Sequence, residues 1–188
     1  MRTVLVIVAL AACHGPRGEI REPWLRAELL AMFDEDQAAR GALVMRDGML
    51  IGEGDRVGIV DRMDTARMKQ IVAVYGWPGT SLVGDDGAHA AWLLVQHADE
   101  DVAFQAACLA RMQSLLDTGE IAPRDYAYLY DRVALATGTK QRYGTQWGPG
   151  LEPFAMEDPQ HIDERRASVG LGTLAEGRQE MIDKYGPP

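Results

Sequence analysis

Cysteine is scarce in this chain, with Cys13 and Cys108 the two in 188 residues. At most one bridge could form, so no disulfide framework holds the fold and a packed core must. Positive charge is also short: 19 Lys and Arg stand against 28 Asp and Glu, a net charge of −9. A basic stripe able to neutralise phosphates is therefore missing, which excludes nucleic acid as a partner. The same balance removes any electrostatic pull toward anionic lipid. Long apolar runs are absent too. The longest, near the N-terminus, is about half of the roughly 20 residues a membrane-spanning helix needs. No C-x-x-C, H-E-x-x-H or G-x-S-x-G occurs. His89, His97 and His161 do not have metal-ligand spacing, and "GEGDRVG" (52–58) lacks the strand-to-helix context of a dinucleotide site. No metal and no cofactor is expected.

What is present begins with export. Arg2 precedes the apolar Thr3 to Leu10, then Ala11, Ala12 and Cys13. That order fits a secretory signal rather than a membrane span. "LAAC" resembles a bacterial lipobox, which implies cleavage before Cys13 and acylation of its sulfur. An ordinary signal peptide, or a buried N-terminal strand, is the alternative. On the lipoprotein reading, 1–12 is a signal peptide, 13–23 a Gly/Pro-rich tether, and 24–188 a single domain. Lipidation at Cys13 then fixes the chain to the bacterial membrane from outside the cytoplasm. Because His14 rather than Asp follows the cysteine, sorting rules by resemblance favour the outer membrane of a two-membrane host, on its periplasmic side. Cys108, in "FQAACLARM", has the spacing of a small buried hydrophobe.

The remaining pattern predicts an all-α domain of about seven helices. Leu25, Leu29, Met32 and Phe33 mark a first helix from Trp24 to Arg40. Residues 42–58 hold four glycines, with a minor hairpin able to turn at Asp47-Gly48. Asp61 or Asp64 is a candidate cap for a helix to Tyr75, and "GWPGTSLVGDDG" reads as a loop. Ala88 to Ala98 is apolar all round, which predicts a central position with Trp92 in the core. Asp99 is a candidate cap for a helix to about Asp117. Pro123 opens the next, which Gly138 ends. An ordered loop with three aromatics follows. Asp158-Pro159 then starts a helix to Val169, and Thr173 with Glu176 forms a capping box for a last helix to about Tyr185.

Six segments carry a resemblance: "YGWPGTSLVG", "HAAWLLVQHADED", "FQAACL", "AYLYDRVAL", "QRYGTQ" and "EDPQHIDERRASVGLGTLAE". In this order and spacing the chain resembles an uncharacterised bacterial family, a domain of unknown function, over roughly Trp24 to Tyr185. Its members carry GWPxxSLVG, WLxVQHA, DR and QxYGTQ motifs; "GLGTL" stands here where "GLPPL" would be expected. The resemblance implies no activity.

Candidate chemistry centres on His97, which helical spacing puts on one face with Leu93 and Phe104, among apolar neighbours. A neutral imidazole there suits a general base; a core histidine with satisfied nitrogens is the plainer alternative. Gln96 adjoins it. Asp131-Arg132 interrupts an apolar, aromatic helix, and buried Asp or Arg needs a partner. Gln141, Tyr143 and Gln146 of the following loop can bind a polar ligand or satisfy that charge as a plug. These groups are expected to meet in one polar cluster. A Ser81–His97–Asp131 hydrolase constellation can also be written. "DERRASVG" reads as a solvated charged face. Two functions follow. One is a lipid-anchored envelope module that binds an unknown small molecule or an envelope protein. The other is a small cofactor-independent, hydrolase-like enzyme using His97 as general base with Asp131.

Overall fold

A computed structural model describes residues 19–41, 44–46, 49–51 and 56–187. The expected signal segment, Cys13 and most of the expected tether thus lie outside the described residues. Within them the chain is all-α: α1 (Pro23–Gly41), α2 (Arg56–Tyr75), α3 (Thr80–Gln96), α4 (Val102–Gln113), α5 (Pro123–Ala136), α6 (Ile162–Ser168) and α7 (Leu174–Tyr185). A short antiparallel hairpin joins α1 to α2, with β1 (Val44–Arg46) against β2 (Met49–Ile51) and Val44 facing Ile51. Asp47 and Gly48, the expected turn, are themselves outside the described residues. No helix among those described is long and apolar enough to cross a membrane.

The apolar α3 is the axis of the fold, touching α1, α2, α4 and α5. Ala90, Ala91, Leu94 and Val95 are buried to within about 1%. Small alanines let the neighbouring helices approach closely, and the larger Leu, Val and Trp fill the spaces between them. Against this axis α1 brings Leu25 and Leu29, α2 brings Met68 and Ile71, and α5 brings Ala127 and Leu129. Cys108 is fully buried, and burial pushes its thiol up to about 12. It packs as an inert hydrophobe.

Several boundaries differ from the sequence expectation, each for a local reason. Thr80 to Val83 already forms a helical turn of α3, and Gly84, at φ 77° and ψ 167°, bends the chain before the helix resumes. Only glycine takes that conformation readily. The cap of α4 is Asp101, whose side chain accepts from the Phe104 amide, so Asp99 is released for another role. Helix α2 starts at Arg56, five residues before Asp61, so Asp61 and Asp64 are interior residues rather than caps. The Thr173–Glu176 capping box of α7 forms as expected.

Candidate functional site

Two polar assemblies take the place of the single cluster the sequence suggests. The first is the QRYGTQ loop. Asp131 of α5 is fully buried and accepts from the amides of Arg142 (2.6 Å), Tyr143 (3.0 Å) and Thr145 (2.9 Å), and from the Thr145 hydroxyl (3.0 Å). Burial raises its carboxyl above the ordinary value, although those hydrogen bonds pull the other way. From the opposite side Arg166 of α6 donates to the carbonyls of Tyr143 (2.9 Å) and Gly144 (3.1 Å). The loop's peptide groups are thus clamped between a buried carboxylate on their N–H side and a buried guanidinium on their C=O side.

Gln141, also fully buried, closes the loop on itself. Its amide donates to the carbonyls of Gln146 and Phe154 and accepts from the Gln146 N–H. Gly144 sits at φ +65°, a conformation that favours glycine, and a Cβ there would press on the ends of Leu174 and Met156. Tyr143 packs edge-on against Tyr130 at 5.8 Å. Asp131 and Gln141, which the sequence offered as binding groups, spend their hydrogen bonds inside the chain, and the half-buried Gln146 donates from its amide to Thr145 Oγ1. "DERR" is likewise more than a solvated face, because Arg166 is 3% exposed and pins the loop.

The second assembly surrounds His97, the C-cap of α3. Its neighbours are not apolar. Nδ1 lies 2.8 Å from Oδ1 of Asp36, a residue of α1 whose side chain is 1% exposed. Arg40 donates to Asp36 (2.7 Å) and to Asp61 of α2 (2.8 Å), and Gln37 donates to the second Asp36 oxygen. Burial works to raise the Asp36 carboxyl, but hydrogen bonds from His97 and Gln37, with the charges of His97 and Arg40, hold it below the usual range. An ionised Asp36 is acceptor-only, so Nδ1 of His97 is the donor in this bond. That leaves Nε2 for the open side of the ring.

The open side is a cleft of about 420 Å³ between α2 and the α3–α4 turn, lined by His97, Asp61, Thr65, Lys69, Asp99 and Asp101 among others. Lys69 pairs with Asp101, and Glu100 pairs with Arg62 at 3.4 Å. Arg132 reaches the rim from α5 by donating to both oxygens of Asp99 (2.8 and 2.7 Å). Asp99 also accepts from Gln105, whose amide holds the carbonyls of Val95 and Gln96 at the end of α3. The structure therefore brings His97 to the cleft and Arg132 to its rim, with the buried Gln96 behind. Asp131, Gln141, Tyr143 and Gln146 belong to the other assembly. Ser81 is near the start of α3 and His97 follows its end, sixteen residues on and roughly 20 Å along the axis. The Ser81–His97–Asp131 constellation does not form.

Asp36, Asp61 and His97 each place one potential ligand atom within 4.8 Å of the others, the one such group of three among the described residues. Arg40 bonds both carboxylates, so a metal ion would first have to displace a fixed cation. One turn beyond Asp61, Asp64 is 8% exposed and its Oδ2 has no partner among the described residues. Burial, with the added charges of Asp36, Glu35 and Asp61, pushes its carboxyl up to about 7 against the pull of Arg40. A carboxyl that holds its proton more tightly folded than unfolded stabilises the fold fully below the ordinary carboxylate range. That contribution is lost as pH rises through 7. The melting temperature is therefore expected to fall between about pH 5 and pH 8. Asp64→Asn, neutral throughout, should remove most of that fall; an unchanged slope in the variant would contradict the assignment.

Asp36 and Asp61 were absent from the sequence candidates, although a signal for Asp36 existed. It continues the buried stripe Leu25, Leu29, Asp36, Ala39 of α1, just as Asp64 continues Val60, Asp64, Met68, Ile71 of α2. An aspartate in register with the core residues of an amphipathic helix must find a partner inside.

The fold and site define an all-α domain with a buried carboxylate behind an imidazole at the mouth of a small cleft. Residues 23–187 match the model of a family of unknown function, DUF6624, and the chain belongs to that family. No curated protein and no solved structure matches it.

Proposed function

We propose that this chain is a lipid-anchored bacterial envelope domain that binds a small polar molecule in the His97 cleft. The observation that carries the binding reading is the Asp36–His97 hydrogen bond, 2.8 Å long and backed by a carboxylate that is 1% exposed. Such a bond fixes both tautomer and ring direction, so Nε2 meets a ligand as a pre-oriented acceptor. Each of the four carboxylates around it already meets a cation: Asp61 meets Arg40, Asp99 meets Arg132, Glu100 meets Arg62 and Asp101 meets Lys69. With charge balanced there, the imidazole acceptor favours a donor-rich ligand over an anion. The anchor rests on the "LAAC" segment and its Gly/Pro tether, and the mass of the N-terminal peptide from exported protein tests it. An unmodified Cys13 or an intact Met1 there would sink it.

The same hydrogen bond supports a second reading, an enzyme in which His97 takes a proton as general base. A carboxylate behind an imidazole stabilises the imidazolium that forms. Both readings make His97→Gln the informative variant. Glutamine can still donate to Asp36 but offers no basic nitrogen. In a thermal-shift screen of small amines and neutral polar metabolites, hits that stabilise the native chain should leave His97→Gln unmoved. The variant's own melting temperature should stay within about 3 °C, equivalent to roughly 1 kcal/mol in a domain of this size. Equal stabilisation of both proteins would remove His97 from the site.

A further inference from the structure

A second cavity, of about 380 Å³, opens where the α2–α3 loop, α3, the end of α4 and the start of α5 meet. None of its lining residues lines the His97 cleft. Two of them carry an unmet hydrogen-bonding atom. Trp77, 8% exposed, has an indole Nε1–H without a partner among the described residues. Asp125, with a side chain 5% exposed, spends Oδ2 on His89 Nδ1 at 3.0 Å and leaves Oδ1 unpaired. Buried polar atoms are rarely left so, because each unmade bond is costly. Here one orphan is a donor and the other an anionic acceptor, both on residues that line one cavity.

The rest of the lining narrows the chemistry. Arg124, beside Asp125, is exposed and has no hydrogen bond or ion pair among the described residues. Its guanidinium can take a carboxylate, to which Trp77 Nε1 can also donate. The Asp125 carboxylate suits an ammonium. Ile121, Ala88 and Trp77 supply the apolar part of the lining. The volume lies within the roughly 300–1,000 Å³ of small-molecule sites.

We infer that this cavity is a binding site for a small zwitterion with an apolar side chain, a free α-amino acid such as leucine. Its ammonium meets Asp125, its carboxylate meets Arg124 and Trp77, and its side chain lies against Ile121 and Ala88. The inference does not depend on the His97 reading.

Calorimetric titration of the full chain with L-leucine, 4-methylpentanoate and 3-methylbutylamine tests it, since the last two each lack one charged group of leucine. Leucine should bind at least tenfold more tightly than either analogue. Arg124→Gln, an exposed change that breaks no contact, should cost leucine about tenfold and leave 3-methylbutylamine unaffected. Asp125→Asn should do the reverse, weakening the amine and sparing 4-methylpentanoate. If Asp125→Asn does not fold, the Arg124→Gln comparison decides alone. No heat with leucine, equal affinity for all three compounds, or indifference to Arg124→Gln would overturn the inference.

Discussion

Asp131→Ala should be the most damaging substitution in the domain, lowering stability by about 3–5 kcal/mol, the range for stripping a buried charged group from its partners. Four donors converge on this carboxylate: the amides of Arg142, Tyr143 and Thr145 and the Thr145 hydroxyl. Alanine leaves them facing a void that water cannot easily fill, and an unsatisfied buried donor costs about 1–3 kcal/mol. Arg142 is exposed and its amide can turn to water, which keeps the total below the sum. The loss extends to Arg166, two of whose three carbonyl partners belong to the loop that Asp131 holds, the third being Gly172. Asp131→Asn should recover little, because its amide nitrogen would point a donor at donors. The neighbouring Arg132→Gln provides the contrast. Its partner Asp99 is 58% exposed, so the change should cost under about 1 kcal/mol. Urea titration of the three variants checks the order. An Asp131→Ala loss no greater than that of Arg132→Gln would show that the loop is held by something else.

Trp92→Ala ranks next, at about 3–4 kcal/mol, within the usual cost of emptying an aromatic site in a core. Trp92 is 7% exposed, meets Tyr128 edge-on at 5.9 Å and overlaps His89 at 4.9 Å. Its indole N–H has no partner among the described residues, so alanine also removes an unmet donor and the loss falls short of the largest values. Trp92→Phe separates the two effects, keeping a ring while deleting the N–H, and should cost no more than about 1 kcal/mol. In melting temperature the alanine variant should fall by roughly 6–16 °C at 2–4 °C per kcal/mol. A fall under about 3 °C would place α3 at the periphery of the fold.

Trp92 was legible because period and composition act locally: an all-apolar helix can be satisfied only at the centre. The α7 capping box and the Pro123 start of α5 are likewise local devices, and they appear where their residues stand. The His97 site was half legible. His97 announced itself as a polar group in an apolar stretch, but its partner Asp36 is 61 residues away on another helix, a pairing set by tertiary packing. The misreading of Asp61 and Asp64 has a similar cause. An aspartate near a helix start is read as a cap from propensity, yet α2 begins earlier and turns both toward α1 and α3. Gly84 misled in the opposite direction, since a glycine in a GTSLVG run looks like a loop and in fact joins two helical pieces.

The two-site division also shows why buried charge is weak evidence for function. Asp131 and Arg166 are about as buried as Asp36, and their hydrogen bonds end on groups inside the fold, the loop and, for Arg166, also the Gly172 carbonyl. Asp36 differs because the imidazole it holds opens onto a cleft. The protonation of the two ring nitrogens of His97 is therefore the deciding feature of the site. Long-range ¹H–¹⁵N correlation spectra of the imidazole, recorded at neutral pH on the native chain and on Asp36→Asn, read this directly. The prediction is a protonated Nδ1 and an acceptor-type Nε2 in the native chain, with that preference lost in the variant. A native ring protonated at Nε2 with a bare Nδ1, or one unchanged by Asp36→Asn, would contradict it.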